Sequence, residues 1–108
     1  IAPEDGPLDT FLNAVELLRD PSHARSLRAS EWLALLDEAG FAGRVERTWE
    51  LEHDVEGWLA TTAPAAWRAE AVRALLRDAP AVAREHFRIA QDASRMSVGC
   101  ALIVATRA

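Results

Sequence analysis

The side chains best able to do chemistry sit early in the chain. His23 closes the run Arg19-Asp20-Pro21-Ser22-His23. A neutral imidazole can take a proton from a hydroxyl or an acidic carbon, which makes His23 the candidate catalytic residue. The plainer reading is that Asp20, Ser22 and His23 tie up a helix end and a turn, as short polar side chains commonly do. Arg19 can hold an anionic or oxygen-rich ligand, or pair with Asp20 or Glu16; the pairing weighs more. Asn13 and Glu16 stand three apart, so on a helix they share a face, which lines a substrate mouth or meets solvent. Trp49, Trp58 and Trp67 can wall a planar ligand. Trp32 and Trp67 fall on apolar helix faces and read as core. Trp58, on a short helix with few apolar neighbours, reads as a pocket lid. The candidate substrate-binding residues are therefore Asn13, Glu16, Arg19 and Trp58.

Other chemistries find no support. His23, His53 and His86 lack ligand spacing and have no cysteine cluster beside them, so no metal site is expected. Cys100 lies in an apolar run and reads as packing. There is no nucleophile elbow and no phosphate loop. All twelve basic residues are arginine and the net charge is −5. Both signs are interspersed, which argues against a nucleic-acid groove or a polybasic membrane patch. No apolar stretch reaches membrane-spanning length and no signal peptide is visible. One cysteine cannot close an internal disulfide, so a reducing, cytoplasmic compartment is expected. The 108 residues suffice for one core. The first residue is Ile1, not Met, so a processed or truncated piece is expected.

Periodicity supplies the elements that must position these groups. Leu8, Phe11, Leu12, Val15 and Leu18 recur at helical spacing, with Pro7 suited to the first turn and Asp20-Pro21 as the stop. This predicts a helix over 7–19. A second helix is expected over 29–39, with Trp32, Leu35, Leu36 and Ala39 on one face and Gly40 as its left-handed cap. Residues 44–53 alternate: Val45, Arg47, Trp49 and Leu51 on one side, Arg44, Glu46, Thr48, Glu50 and Glu52 on the other. That is a half-exposed edge strand. Asp54 caps a short helix over 55–60. A longer helix over 65–77 points Trp67, Ala71, Ala74 and Leu75 inward with Val72 and Leu76 beside them, and a short one covers 80–87. Residues 88–91 are expected to form a brief strand. Residues 97–106 carry no charge on either face, so they read as a strand inside a sheet. Such a strand needs two neighbours, and the chain offers only one of full length.

An ordered series of residues carries a family likeness: Asn13-Ala14-Val15-Glu16, Arg19-Asp20-Pro21-Ser22-His23, Ser30-Glu31-Trp32 and Glu38-Ala39-Gly40-Phe41. It resembles the segment after the cofactor-binding half of class I S-adenosylmethionine-dependent methyltransferases, and is most similar to the ubiquinone and menaquinone biosynthesis type. The resemblance spans almost the whole chain. It implies an α/β fold, the C-terminal portion of a Rossmann-like sheet. There 44–53 would be the edge strand, 97–106 the central strand inserted antiparallel, and Ile1-Ala2 the end of the missing fifth strand. It also places His23 near the substrate, on the carboxyl-end side of the sheet.

The family holds its cofactor with a glycine-rich loop and an acid for the ribose. Here the glycines are Gly6, Gly40, Gly43, Gly57 and Gly99, with no G-x-G run. The expectation is a single segment, 1–108, of a methyltransferase domain whose cofactor-binding half is absent. It would contribute to the pocket for a small-molecule methyl acceptor, bind no S-adenosylmethionine by itself and be inactive alone. Its partner would be the missing N-terminal half or a second copy of the chain. The competing reading is a non-catalytic α+β association module that dimerises through 97–106. The acceptor stays unnamed, because similar folds methylate oxygen, carbon and nitrogen.

Overall fold

The computed structural model describes residues 1–108. The order of elements is α1 (Gly6–Arg19), α2 (Ala29–Glu38), β1 (Phe41–Asp54), α3 (Val55–Thr62), α4 (Ala66–Arg77), α5 (Ala81–His86) and β2 (Arg95–Arg107). This mixed α/β arrangement is the expected one. β1 and β2 form a two-stranded antiparallel sheet. At about 3.3 Å per residue, strands of 14 and 13 residues make a ribbon roughly 45 Å long.

Local chemistry sets the element ends. The Asp5 carboxylate accepts from Leu8 N–H at the start of α1, and Pro7 occupies its first turn, where a missing N–H costs nothing. Asp54 caps α3 by accepting from Gly57 N–H. Gly40 takes φ +90°, ends α2 and turns the chain directly into β1.

The register runs from Phe41 opposite Arg107 to Asp54 opposite Arg95, with a bulge between Val45 and Arg47. The bulge changes the expected alternation. Val45 lies opposite Ile103 and Arg47 opposite Leu102. Those two are neighbours on β2 and face opposite sides, so Val45 leaves the face that Trp49 and Leu51 share.

The core gathers at one end of the ribbon. Leu8, Leu12 and Val15 of α1 meet Val55, Trp58 and Leu59 of α3, Val72 and Leu76 of α4, and Phe87, Met96 and Val98. Phe11 stacks on Phe87 with centroids 5.7 Å apart. On α4 the buried residues are Ala69, Val72 and Leu76. That rotates the inward face away from the expected Trp67, which is 62% exposed. Trp32 is likewise 44% exposed and not core. Both were assigned from a one-sided apolar pattern, but each helix packs only a narrow stripe. On α2 it is Leu33 and Leu36 that reach the sheet, closing over Gly43 of β1.

No strand forms over 88–91. Arg88 has a left-handed backbone at φ +48°, and Ala90 N–H bonds to Arg95 O, folding the segment into a turn.

β2 is covered only at its start: Met96, Ser97 and Val98 are buried, and β1 has no buried residue. The edge of β2 away from β1 is met only near its start: Ala90 N–H donates to Arg95 O, Ser97 N–H to Phe87 O, and the Ile1 nitrogen to Gly99 O at 2.9 Å. Ala2 N–H bonds in turn to Leu27 O, and Ala2 bridges Arg28 in parallel. No helix is long and apolar enough to cross a membrane.

Candidate functional site

Three of the expected substrate-binding residues come together, but in a packed cluster. The Arg19 guanidinium lies over the Trp58 ring at 4.4 Å, and the His53 ring stacks on Trp58 with centroids 4.7 Å apart. Arg19 also donates to Glu16 Oε2 at 3.3 Å, the pairing that the sequence favoured. Thr62 Oγ1 donates to Arg19 O, tying α3 to the end of α1. Trp58 is only 9% exposed, so it is a pillar of the core where a lid was expected. Its neighbours come from α1 and β1, which its own helix could not reveal. Burial lowers the His53 pKa and the Arg19 charge adds to that, while nearby Glu16 acts the other way.

Asn13 serves the loop that carries His23. Its amide nitrogen donates to Asp9 Oδ1 and Ser26 O, and its oxygen accepts from Ser26 N–H at 2.7 Å. Asp9, buried, accepts from Arg28 Nε at 2.8 Å and Arg25 Nη2 at 3.1 Å. Burial opposes its ionisation, but the hydrogen bonds from Arg28 and Asn13 and the two arginine charges outweigh that and lower its pKa. Arg25 continues to Glu31, and its hydrogen bonds hold that carboxyl at about 2. His23 itself is half-buried. Its N–H donates to Asp20 O, and its Nε2 lies 3.4 Å from Ser26 Oγ. The structure thus brings Glu16, Arg19 and Trp58 together, with His23 on a separate loop that Asn13 of α1 clamps.

A cleft of about 260 Å³ lies elsewhere, between the segment Ile1–Pro3 and the sheet. Phe87, Trp49 and Pro3 help to wall it; Thr48, Glu50, Ser97 and His86 supply polar groups. Ser97 is held by its N–H donating to Phe87 O. Of these, only Trp49 stood out in the sequence, as a wall for a planar ligand. Thr48 and Glu50 read as a solvated strand face, and Ser97 as the ordinary first residue of a strand. Only the return of β2 beside β1 assembles them. No group of His, Cys, Asp and Glu is arranged to hold a metal.

No family model matches the sequence. Relatives do. The uncharacterized methyltransferase YcgJ of Bacillus subtilis strain 168 is 35% identical over 86 residues, which is 80% of this chain and 34% of that protein. The crystal structure of YcgJ superimposes with a TM-score of 0.91 at 30% identity, over 96% of this chain and 46% of that one. This chain belongs to the methyltransferases. A second methyltransferase structure, BH2331 from Bacillus halodurans C-125, matches with a TM-score of 0.78 and 27% identity, over 96% of this chain and 49% of that one. The uncharacterized protein YafE of Escherichia coli strain K12 is 31% identical over 84 residues, 78% of this chain and 41% of YafE. The chain thus spans about half the length of the solved methyltransferases and less than half of the curated relatives.

The residues of this methyltransferase segment do not form a cradle for S-adenosylmethionine. Such a cradle needs a strand, a glycine-rich turn and a helix in that order. The one glycine with a left-handed backbone, Gly40, joins a helix to a strand in the reverse order. No step through the cofactor is derived from this chain.

Proposed function

We propose that this chain is the C-terminal, substrate-facing and sheet-closing part of an S-adenosylmethionine-dependent methyltransferase acting on a small molecule. The superposition on YcgJ over nearly the whole chain carries this reading. Support comes from β2, an apolar strand with one full-length neighbour and an outer edge that is met at Arg95, Ser97 and Gly99 and has no backbone partner beyond Gly99. The cofactor-binding half would supply the strands beyond that edge, and the chain alone would transfer no methyl group. A small acceptor suits the modest cleft beside Ile1–Pro3. His23 is the proposed proton acceptor. Its loop is fixed by Asn13 and Asp9 and abuts the cleft-forming segment through the Ala2–Leu27 hydrogen bond.

A second reading, association through β2, rests on the same open edge. Beside it lies an apolar groove lined by Ile1, Trp32, Leu36, Leu102 and Ile103. Calorimetric titration with S-adenosylmethionine separates the two. The 108-residue chain is expected to bind none, and the protein made from its full reading frame to bind one per chain. A full-length protein that is folded yet gives no binding would leave the association module as the surviving account.

A further inference from the structure

We infer that the cleft between Ile1–Pro3 and the start of β2 binds a small, flat, uncharged molecule bearing a hydroxyl group. Under the methyltransferase proposal, on which its catalytic meaning rests, this molecule is the methyl acceptor. The central observation is Ser97. Its residue is 7% exposed, yet its hydroxyl makes no hydrogen bond within the chain and is not sealed off from the cleft. That leaves a donor and an acceptor free at the cleft surface, and a ligand hydroxyl can take the place of water on them.

The remaining walls narrow the ligand. Ser and Thr hydroxyls donate and accept, whereas a carboxylate only accepts. Ser97 and Thr48 therefore suit a hydroxyl, and Glu50 adds an acceptor for its proton. No arginine lines the cleft; its charges are the Ile1 ammonium, bonded to Gly99 O, and Glu50, so both signs are present and neither dominates. Glu50 is already matched by Arg88 at 3.1 Å, so a cationic ligand gains little. Phe87 is buried beneath the cleft, Trp49 borders it, and His86 meets the Phe87 ring edge-on with centroids 4.8 Å apart. Aromatic walls favour a flat partner. With a water occupying ~30 Å³, the cleft holds roughly nine waters' volume, room for one ring and its substituents.

Phenol and benzoate, alike in shape but not in charge, test this on the isotope-labelled chain by amide chemical shifts. Phenol is expected to shift Phe87, Ser97, Gly99 and Glu50, with benzoate at least ~10-fold weaker, a difference of ~1.4 kcal/mol. Ser97→Ala should weaken phenol about five-fold, the effect of one ordinary hydrogen bond. A Cβ on Gly99 would meet only Ile1 Cγ1 at 3.7 Å, so Gly99→Leu has room to enter the cleft and should abolish the shifts. A second, apolar groove is lined by Phe11, Leu18, Leu75 and Ala79, and phenol shifts confined to it would overturn the inference. So would equal affinity for benzoate, or an unchanged affinity in a folded Ser97→Ala chain. The methyltransferase proposal is read separately. If phenol fails while the full-length protein binds S-adenosylmethionine, the inference falls and that proposal stands. If phenol binds as described and the cofactor does not, the cleft stands and that proposal falls.

Discussion

Trp58→Ala is expected to cost the fold about 4 kcal/mol, within the ~3–5 kcal/mol range for truncating a buried tryptophan. The figure follows from burial. An indole of this kind removes about 200 Å² from water, worth at most ~5 kcal/mol at ~25 cal/mol per Å². The Arg19 stack adds about 1 kcal/mol. Domains of this size are stable by ~5–15 kcal/mol. This one has 19 buried residues of 108 and a nearly bare ribbon, so the lower end applies. The substitution should remove most of the stability. Urea unfolding followed by far-ultraviolet circular dichroism is the assay. With a slope of ~1–3 kcal/mol per molar urea, the midpoint should fall by roughly 2 M. Trp58→Phe, which keeps a ring for His53 and Arg19 to stack on, should lose less than half as much. A Trp58→Ala midpoint within ~0.3 M of the wild type would refute the packing account and restore Trp58 as a lid.

Three further outcomes follow from the same geometry. His53 has a lowered pKa in the folded state because of its burial, so the unfolded chain binds its proton more readily. Its stabilising share is full above its ordinary value of 6.5 and declines as pH falls through that value to the folded pKa. His53→Gln should flatten the urea midpoint in that window, leaving the separate acid loss from Asp9 and Glu31 as pH drops from about 4.5 toward 2. An unchanged slope in the His53→Gln protein would contradict this. At Gly43 an added Cβ would stand 3.0 Å from Leu36 Cδ1 and 3.2 Å from Leu33 Cδ2. Gly43→Val should therefore lift α2 off β1 and cost ~1–3 kcal/mol, read as a lower melting temperature; no change would mean the helix is not seated there. Asp9→Asn should speed amide exchange at Ser26 about ten-fold, the effect of one charge-assisted hydrogen bond of ~1.5 kcal/mol, because Arg25 and Arg28 lose their shared anion. Unaltered exchange would show that the His23 loop is held by other contacts.

The elements were legible in the sequence because their signals are local. Pro7, Asp20-Pro21, Gly40 and Asp54 mark ends by backbone chemistry, and the charge-free run before Arg107 reads as an interior strand by itself. The tryptophans were not legible. Whether an indole is buried depends on what arrives opposite it: α1 and β1 close over Trp58, while nothing closes over Trp67 or Trp32. The bulge at Val45–Arg47 escaped for a related reason, since an alternating pattern does not show where one extra residue is inserted. Positive φ at Arg88, a residue with no glycine-like signature, replaced the expected strand with a turn. The same limit hid the cleft. Ser97, Thr48, Glu50 and His86 are unremarkable in sequence, and pairing of two strands about fifty residues apart brings the first three together.

Amide hydrogen exchange along β2 tests the central claim, that β2 is an interior strand whose second neighbour lies in the rest of a methyltransferase. In the 108-residue chain, the amides between Val98 and Val104 that point away from β1 should exchange quickly, while those facing β1 are protected. In the protein made from the full reading frame, both sets should be slow. Fast exchange on that outer edge in the longer protein would contradict the account.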